Sequence, residues 1–288
     1  MKNFHIISTG TSILDNFSRK ANKEKKFKEI HDKYSMKDWA KLKPNDDKQK
    51  HIEAHIPKGS EVHETLYEFV KKDPNSASAE LNSFLSFIEE YGQRKDSIEI
   101  ALYCTDIANN ILCAQLVYEY LSEEEKDFRM VREPIKIKGI SGVKDFESGL
   151  LEILDKVVKI IVDKSKQGYD IYISATAGFK PETTFFVIAA SLCSLKSPTV
   201  YYIHESFKKI ITLPLIPLEV PDEYIKIAEE FKKPKHQNEA IEILKRKFNR
   251  EENYFSYLLN NKILERTSDF MIRTSTWLRK ILEIKNSY

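Results

Sequence analysis

The chain has 288 residues, with 46 Lys plus Arg against 44 Asp plus Glu, and therefore a formal net charge of +2. Its 41% hydrophobic and 31% charged residues are typical of a folded globular protein and exclude a disordered chain. The small net charge argues against a protein whose whole surface binds polyanions. A division at Phe231, however, separates 33 basic and 37 acidic side chains from 13 and 7, a net −4 against +6.

The sequence carries no sign of a membrane span, a secretion signal or a metal site. No apolar run approaches the ~20 residues that a transmembrane helix requires, and the N-terminus does not resemble a signal peptide. The three cysteines, Cys104, Cys113 and Cys193, form no CxxC pair, and we interpret them as reduced core thiols. We therefore expect a cytoplasmic protein without membrane association. No Cys/His cluster has ligand spacing, so neither a metal nor another cofactor is expected.

Short apolar runs alternate with helical patterns through the first 215 residues. Strands are predicted at 4–8, 97–104, 130–137 and 169–175, followed by a hairpin of strands at 198–204 and 208–213. Helices are predicted from residue 105 to about 121, at 145–166 and at 182–195, the last apolar nearly all round and so buried. A charged, largely helical segment, about 19–95, separates the first two strands.

This alternation predicts an α/β fold with a mainly parallel sheet. Ligands of such sheets bind beyond the carboxyl ends of the strands, and two loops there have a suitable composition, TGTS at 9–12 and TAGFKP at 176–181. Small residues, free backbone N–H groups and hydroxyls suit a phosphate. Lys180 opposes the dipole of the helix that it begins, which points to a functional role. Neither loop is a Walker A or GxGxxG motif, so nucleoside triphosphates and dinucleotides are disfavoured.

Each candidate also has a structural explanation. Gly10 and Gly178 suit tight turns, Ser12 suits a helix N-cap, and Thr183 suits packing or capping. Asp106 is either the N-cap of the helix after the second strand or an acid that faces a ligand, and the cap is favoured.

Three prolines at 214, 217 and 221 predict a boundary between a domain at 1–215 and a module at 216–288. Helices predicted at 238–247, 250–259 and 274–284, with a short extended piece between the last two, have the order of a winged helix-turn-helix. The local charge of +6 favours contact with DNA. A small helical module for dimerisation or capping explains the same features equally well.

The strand that ends in TGTS and the later SATAGFKPE resemble the CRISPR-associated Rossmann-fold (CARF) domains of type III CRISPR systems, and in particular the standalone ring nucleases. The resemblance spans about residues 1–215 in strand order, including the final hairpin, and its specific motifs lie at 8–12 and 174–182. The charged segment at 19–95 departs from the compact family pattern.

The resemblance implies a homodimer whose two CARF domains together bind one cyclic oligoadenylate, most often cyclic tetra-adenylate. Ring nucleases of this family use a serine in the first loop and a lysine in the second, which correspond to Ser12 and Lys180. We expect a metal-independent reaction in which a ribose 2′-OH attacks the adjacent phosphorus and leaves linear di-adenylate with a 2′,3′-cyclic phosphate. Further ligand-binding residues are expected at Thr9, Gly10, Thr11, Asp106, Thr176, Ala177, Gly178, Phe179 and Thr183.

Cleavage of the ring would switch off the antiviral signalling of a type III CRISPR system. The alternative is a sensor that binds the same ring without cleaving it and controls a DNA-binding winged helix, as a transcriptional regulator. A fused ribonuclease is disfavoured, because no arginine is followed by histidine at the R-x4–6-H spacing of the commonest effector.

Overall fold

The computed structural model of the chain describes residues 2–138, 146–176, 178, 180–193, 198–204 and 209–286. The chain divides into two compact units, Met1–Pro217 and Leu218–Tyr288. Within the described residues, no helix has both the length and the apolar character needed to cross a membrane.

The first unit is built on one seven-stranded sheet that is parallel except for its last strand. Its strands are β1 (Lys2–Thr9), β2 (Ile98–Thr105), β3 (Arg129–Met130), β4 (Ile135–Ile137), β5 (Tyr169–Ser174), β6 (Thr199–His204) and β7 (Lys209–Leu213). β1 lies between β2 and β5, β6 follows β5, and β7 pairs antiparallel with β6. This confirms the predicted α/β fold with a closing hairpin.

The strand order reverses between β1 and β5. From β1 the chain proceeds to β2 and then to β3 and β4, whereas β5 leads to β6 and β7 in the opposite direction across the sheet. The crevice at such a reversal, beyond the carboxyl ends of the strands, is where open α/β sheets bind their ligands. Both predicted loops begin there, one after β1 and the other after β5.

Helices cover the sheet, and those of the long segment after β1 belong to its core. The helices of this unit are α1 (Ser12–Lys20), α2 (Lys25–Lys33), α3 (Lys48–Glu53), α4 (Glu61–Lys72), α5 (Pro74–Ala77), α6 (Ala79–Tyr91), α7 (Ala108–Glu119), α8 (Phe146–Lys166) and α9 (Lys180–Leu192). Phe17, Phe27 and Leu66 from the helices form one buried cluster with Ile100 and Leu102 of β2. The segment at 19–95 is therefore an integral layer of the fold.

Two sequence predictions for this unit are corrected. The predicted strand at 130–137 is two short strands on the same edge of β2, because Val131 makes the last bond of the first ladder, to the Ile100 carbonyl, and Pro134 has no N–H to continue it. Helix α9 is buried on one face only, with Phe186 and Ala189 inside, while Thr184 is exposed.

The second unit combines four helices with a small antiparallel sheet. In chain order its elements are α10 (Asp222–Glu230), β8 (Lys235–His236), α11 (Gln237–Phe248), α12 (Glu252–Asn260), β9 (Leu264–Ser268), β10 (Met271–Thr274) and α13 (Thr276–Asn286). β10 lies between β8 and β9. Helix α10 was not predicted, since its three neighbouring prolines suggested a linker. Its Ile227 and the following Phe231 are fully buried with Leu244 and Ile272.

The two units differ little in charge. Helix α10 and the residues before it carry acidic side chains that belong to the second unit, which holds 14 basic and 12 acidic side chains over 218–288. The first unit holds 32 of each over 1–217. The net +6 calculated from residue 232 onward therefore reflects a division placed after an acidic helix.

Candidate functional site

The two predicted loops touch each other at the carboxyl ends of β1 and β5. A Cβ atom built on Gly10 would lie 3.0 Å from the backbone nitrogen of Gly178 and 3.2 Å from its Cα. Gly178 has a φ of +103°, and a Cβ atom there would lie 2.1 Å from the hydroxyl oxygen of Ser8. Both glycines are required by close packing, and at Gly178 also by the left-handed backbone.

A buried carboxylate, that of Glu182, holds the helix start at the end of the second loop. Glu182, in the first turn of α9, is 1% exposed. Its Oε2 accepts a hydrogen bond of 3.1 Å from the Ser8 hydroxyl, and its Oε1 accepts one from the Thr105 hydroxyl. Glu182 thus ties the start of α9 to the ends of both β1 and β2.

A second buried carboxylate holds the first loop. Glu80 is also 1% exposed and belongs to the first turn of α6. Its Oε1 accepts the backbone N–H of Gly10 at 2.6 Å, and its Oε2 accepts the hydroxyls of Ser12 at 2.5 Å and Ser78 at 2.6 Å. The Gly10 amide, predicted to bind a phosphate, is therefore engaged by a side chain of the protein.

Ser12 begins α1 and is half-buried. Its hydroxyl donates its hydrogen to Glu80 and accepts the backbone N–H of Ala79 at 3.0 Å. A hydroxyl oxygen has two lone pairs. One lone pair of Ser12 therefore remains, and through it the residue can only accept a hydrogen bond.

Lys180 is the first residue of α9, and its side chain is exposed. Within the described part of the chain, no carboxylate or carbonyl pairs with its ammonium group. It stands at the helix start, two residues after Gly178 in the sequence, where a bound anion would be close to the positive end of the helix dipole.

Three predicted threonines use their hydroxyls within the protein. Thr9 is fully buried and donates to the Tyr103 carbonyl at 2.8 Å, and Thr11 donates to the Ala40 carbonyl at 2.9 Å. The Thr176 hydroxyl lies 2.6 Å from that of Ser83 and accepts the Ile203 N–H at 2.9 Å. These bonds fix the two loops to the neighbouring elements.

Asp106 does not cap a helix, contrary to the favoured structural explanation. Helix α7 begins at Ala108 with Ile107 in the N-cap position, and no side chain caps it. The Asp106 backbone N–H donates to the Ile137 carbonyl at 3.0 Å, which places this half-buried residue at the end of β2 beside β4. Of the remaining predicted ligand-binding residues, Thr183 is half-buried on α9. Ala177 and Phe179 lie outside the described residues.

Burial governs the titratable groups nearest to the sheet. Burial, with a contribution from the nearby Glu182 carboxylate, raises the pKa of the Cys104 thiol to about 12, which disfavours the nucleophilic thiolate form at neutral pH. His5 is fully buried in β1, and burial lowers its pKa to about 4. Its Nε2 lies 2.8 Å from Gln93 Oε1 and its Nδ1 lies 3.3 Å from the Tyr201 hydroxyl. Among the described residues, no group of three or more His, Cys, Asp or Glu is placed to hold a metal ion.

Sequence reasoning missed both buried carboxylates. Glu182 follows the GFKP loop directly, and an acid in the first helical turn, two residues after Lys180, was a usable signal. Glu80 lies 70 residues from Gly10 within a segment rich in charges, and nothing in the local sequence separates it from other glutamates.

Residues 75–216 match the model of a family described as CRISPR-associated protein (Cas_APE2256). The match covers 142 of the 288 residues, including Glu80, Asp106 and the second loop with Lys180, but not the first loop with Ser12. The match supports the assignment of this chain as a CRISPR-associated protein.

Proposed function

We propose that the chain is a ring nuclease that binds a cyclic oligoadenylate, with cyclic tetra-adenylate as the expected ring, across a homodimer and cleaves it without a metal ion. The observation that carries the proposal is Lys180, an exposed ammonium without a partner in the described structure, at a helix start beside two touching loops. The match of the surrounding segment to a CRISPR-associated family agrees with a ligand of CRISPR signalling.

The chemistry requires positioning and charge stabilisation. A ribose 2′-OH attacks the adjacent phosphorus, a 2′-O–P bond forms, and the P–O5′ bond breaks. The products are a 2′,3′-cyclic phosphate and a 5′-OH, since the 2′-OH loses a proton and the leaving 5′-oxygen gains one. Lys180 stabilises the negative charge that grows on the phosphoryl oxygens. Ser12 orients the reacting ribose, and two copies of the site cut the symmetric ring into two halves.

The test is conversion of cyclic tetra-adenylate to linear di-adenylate with a 2′,3′-cyclic phosphate by the purified protein in EDTA. Lys180→Ala is expected to reduce turnover at least tenfold, which is about 1.4 kcal/mol of transition-state stabilisation. The control is Lys23→Ala, which removes an exposed ammonium outside both loops and should leave turnover unchanged. Tight binding of the ring without turnover would contradict the nuclease proposal and favour the sensor. Full activity of Lys180→Ala would contradict the assignment of Lys180 to the active site.

The alternative of a sensor that controls DNA binding rests on the second unit. Its order of helix, strand, two helices and two strands supports a winged helix, in which α12 would be the recognition helix. The exposed side chains of α12 are Glu252, Asn253, Ser256, Tyr257 and Asn260, none of which is basic. A recognition helix without a cation, in a unit of net charge +2, lacks the usual electrostatic attraction for DNA. We therefore favour dimerisation or capping, and not DNA binding, as the role of this unit.

A further inference from the structure

We infer that Glu80 is a positioning residue for the reaction, because it fixes the Ser12 hydroxyl as a hydrogen-bond acceptor for the attacking 2′-OH. The inference rests on the proposed function and deepens it, since it decides what Ser12 does. It also assigns a role in the site to the helical segment between β1 and β2, which supplies Glu80 from α6.

The direction of the hydrogen bonds around Glu80 is unambiguous. Gly10 N–H and the hydroxyls of Ser12 and Ser78 all point at its two oxygens, with donor to acceptor distances of 2.5–2.6 Å. A carboxylate has no hydrogen to give back. The Ser78 hydroxyl oxygen also accepts the Leu81 N–H, and the Ser12 oxygen accepts the Ala79 N–H. The proton of Ser12 is therefore committed to Glu80.

Charge decides which part of a ring can face Ser12. A phosphate placed there would lie next to a buried carboxylate, and two like charges at short range in a poorly solvated site repel each other. A 2′-OH has a hydrogen to donate to the remaining lone pair of Ser12. The same hydrogen is the one that must leave the 2′-oxygen when it attacks phosphorus. Ser12 therefore takes the ribose hydroxyl, and the phosphate is left to Lys180.

Glu80→Gln reverses this arrangement with little change of shape. The amide oxygen must face Gly10 N–H, because the opposite orientation would bring two donors together at 2.6 Å. The amide NH₂ then donates to Ser12 and Ser78, and the Ser12 hydrogen turns away from Glu80. Ser12 becomes a donor toward the ligand. The attacking 2′-OH loses its acceptor, although the ring can still bind.

The experiment compares the wild-type protein with Glu80→Gln, Glu80→Asp and a control, Glu119→Gln. Glu119 is a carboxylate 5% exposed that pairs with His63 Nε2 at 3.0 Å, away from both loops. The probes are native cyclic tetra-adenylate and its 2′-fluoro analogue, which cannot be cleaved and cannot donate from the 2′ position. The readouts are kcat and KM for the native ring and Kd for the 2′-fluoro ring, with Kd for the native ring added if the protein binds it without cleaving it.

For Glu80→Gln we expect kcat to fall at least tenfold with KM changed less than threefold, and Kd for the 2′-fluoro ring to stay equal or tighten. Glu80→Asp, which keeps the carboxylate, should recover part of kcat. Glu119→Gln should lower the Tm without changing kcat for the native ring or Kd for the 2′-fluoro ring. If the protein binds without cleaving, wild type should prefer the native ring about three- to tenfold, the value of one hydrogen bond, and Glu80→Gln should lose that preference.

The inference is overturned if Glu80→Gln behaves like Glu119→Gln, or if its loss of kcat is matched by loss of 2′-fluoro ring binding. Either result leaves the proposed function intact, because the wild-type protein still acts on the ring. A wild-type protein that neither binds nor cleaves any cyclic oligoadenylate overturns the proposed function and this inference with it.

Discussion

Gly10 and Gly178 bring two strand-end loops into direct backbone contact, so that a Cβ atom on Gly10 would lie 3.0 Å from the nitrogen of Gly178. The loops follow the neighbouring parallel strands β1 and β5. A displacement of one loop must therefore displace the other. It would also change the positions of Ser12 in the first loop and Lys180 in the second.

Gly178→Ala should disrupt the site. The added methyl group would lie 2.1 Å from Ser8 Oγ and 2.9 Å from Ser8 Cβ, and the φ of +103° is unfavourable for any L side chain. We expect a loss of stability of about 2 kcal/mol or more and loss of ring binding. Gly168→Ala is the matched control, because its φ is +79° and no atom lies within 4 Å of the new Cβ. Equal effects in urea titrations of the two variants would show that backbone strain alone is responsible.

Glu182→Ala should destabilise the first unit by leaving the hydroxyls of Ser8 and Thr105 without their acceptor in the core. A buried polar group that loses its partner costs about 1–3 kcal/mol. Glu90→Ala removes an exposed glutamate near the end of α6 and should change stability by less than about 0.5 kcal/mol. Urea denaturation followed by circular dichroism measures both. An unchanged midpoint for Glu182→Ala would contradict the role we give to this carboxylate.

His5 should make the protein less stable as the pH falls below 6.5. Burial lowers its pKa from 6.5 to about 4, so between these values the unfolded chain binds the proton and the folded chain does not. Stability then rises with pH across this window, by up to about 1.4 kcal/mol per pH unit from this residue. His5→Gln removes the titrating group. The difference in unfolding free energy between the two proteins, measured from pH 4 to 7, should change with pH in the window and level off above 6.5. A constant difference would show that His5 titrates normally.

The full chain should bind duplex DNA weakly and with little dependence on salt. The logarithm of the binding constant falls with the logarithm of salt concentration with a slope of about −0.9 per phosphate contact, and the exposed face of α12 offers no cation. We expect a slope no steeper than about −2. Asn253→Lys with Asn260→Lys places two cations on that face and tests whether it can contact DNA at all. A much steeper salt dependence of DNA binding by the wild-type protein would support the alternative of a DNA-binding transcriptional regulator.

Local patterns were sufficient to place the loops, and long-range contacts were not predictable from them. The β/α alternation put 9–12 and 176–181 at the carboxyl ends of strands because parallel sheets require it. Ser12, by contrast, depends on Glu80, whose position is set by packing of Leu81 and Phe84 into the core. A helical pattern does not specify which neighbour such a packed helix meets.

The net charge of the second unit was predicted wrongly, because a helix that belongs to this unit was taken for a linker. The three prolines around 214–221 suggested a linker, whereas α10 folds into the second unit through Ile227 and Phe231. Its acidic side chains pair with basic ones there, as Glu223 does with Arg250 and Glu230 with Lys247. Counting charge from residue 232 therefore counted one partner of each pair.

The shared core of the helical segment and the sheet makes ligand binding and local folding a linked equilibrium. Because α6 contributes a carboxylate to the first loop and also packs its apolar face inside, opening of this segment would dissolve the site. A ligand that binds only the closed form must shift that opening equilibrium by its own binding free energy. Ligand binding should therefore slow the amide hydrogen exchange of the helices that share this core.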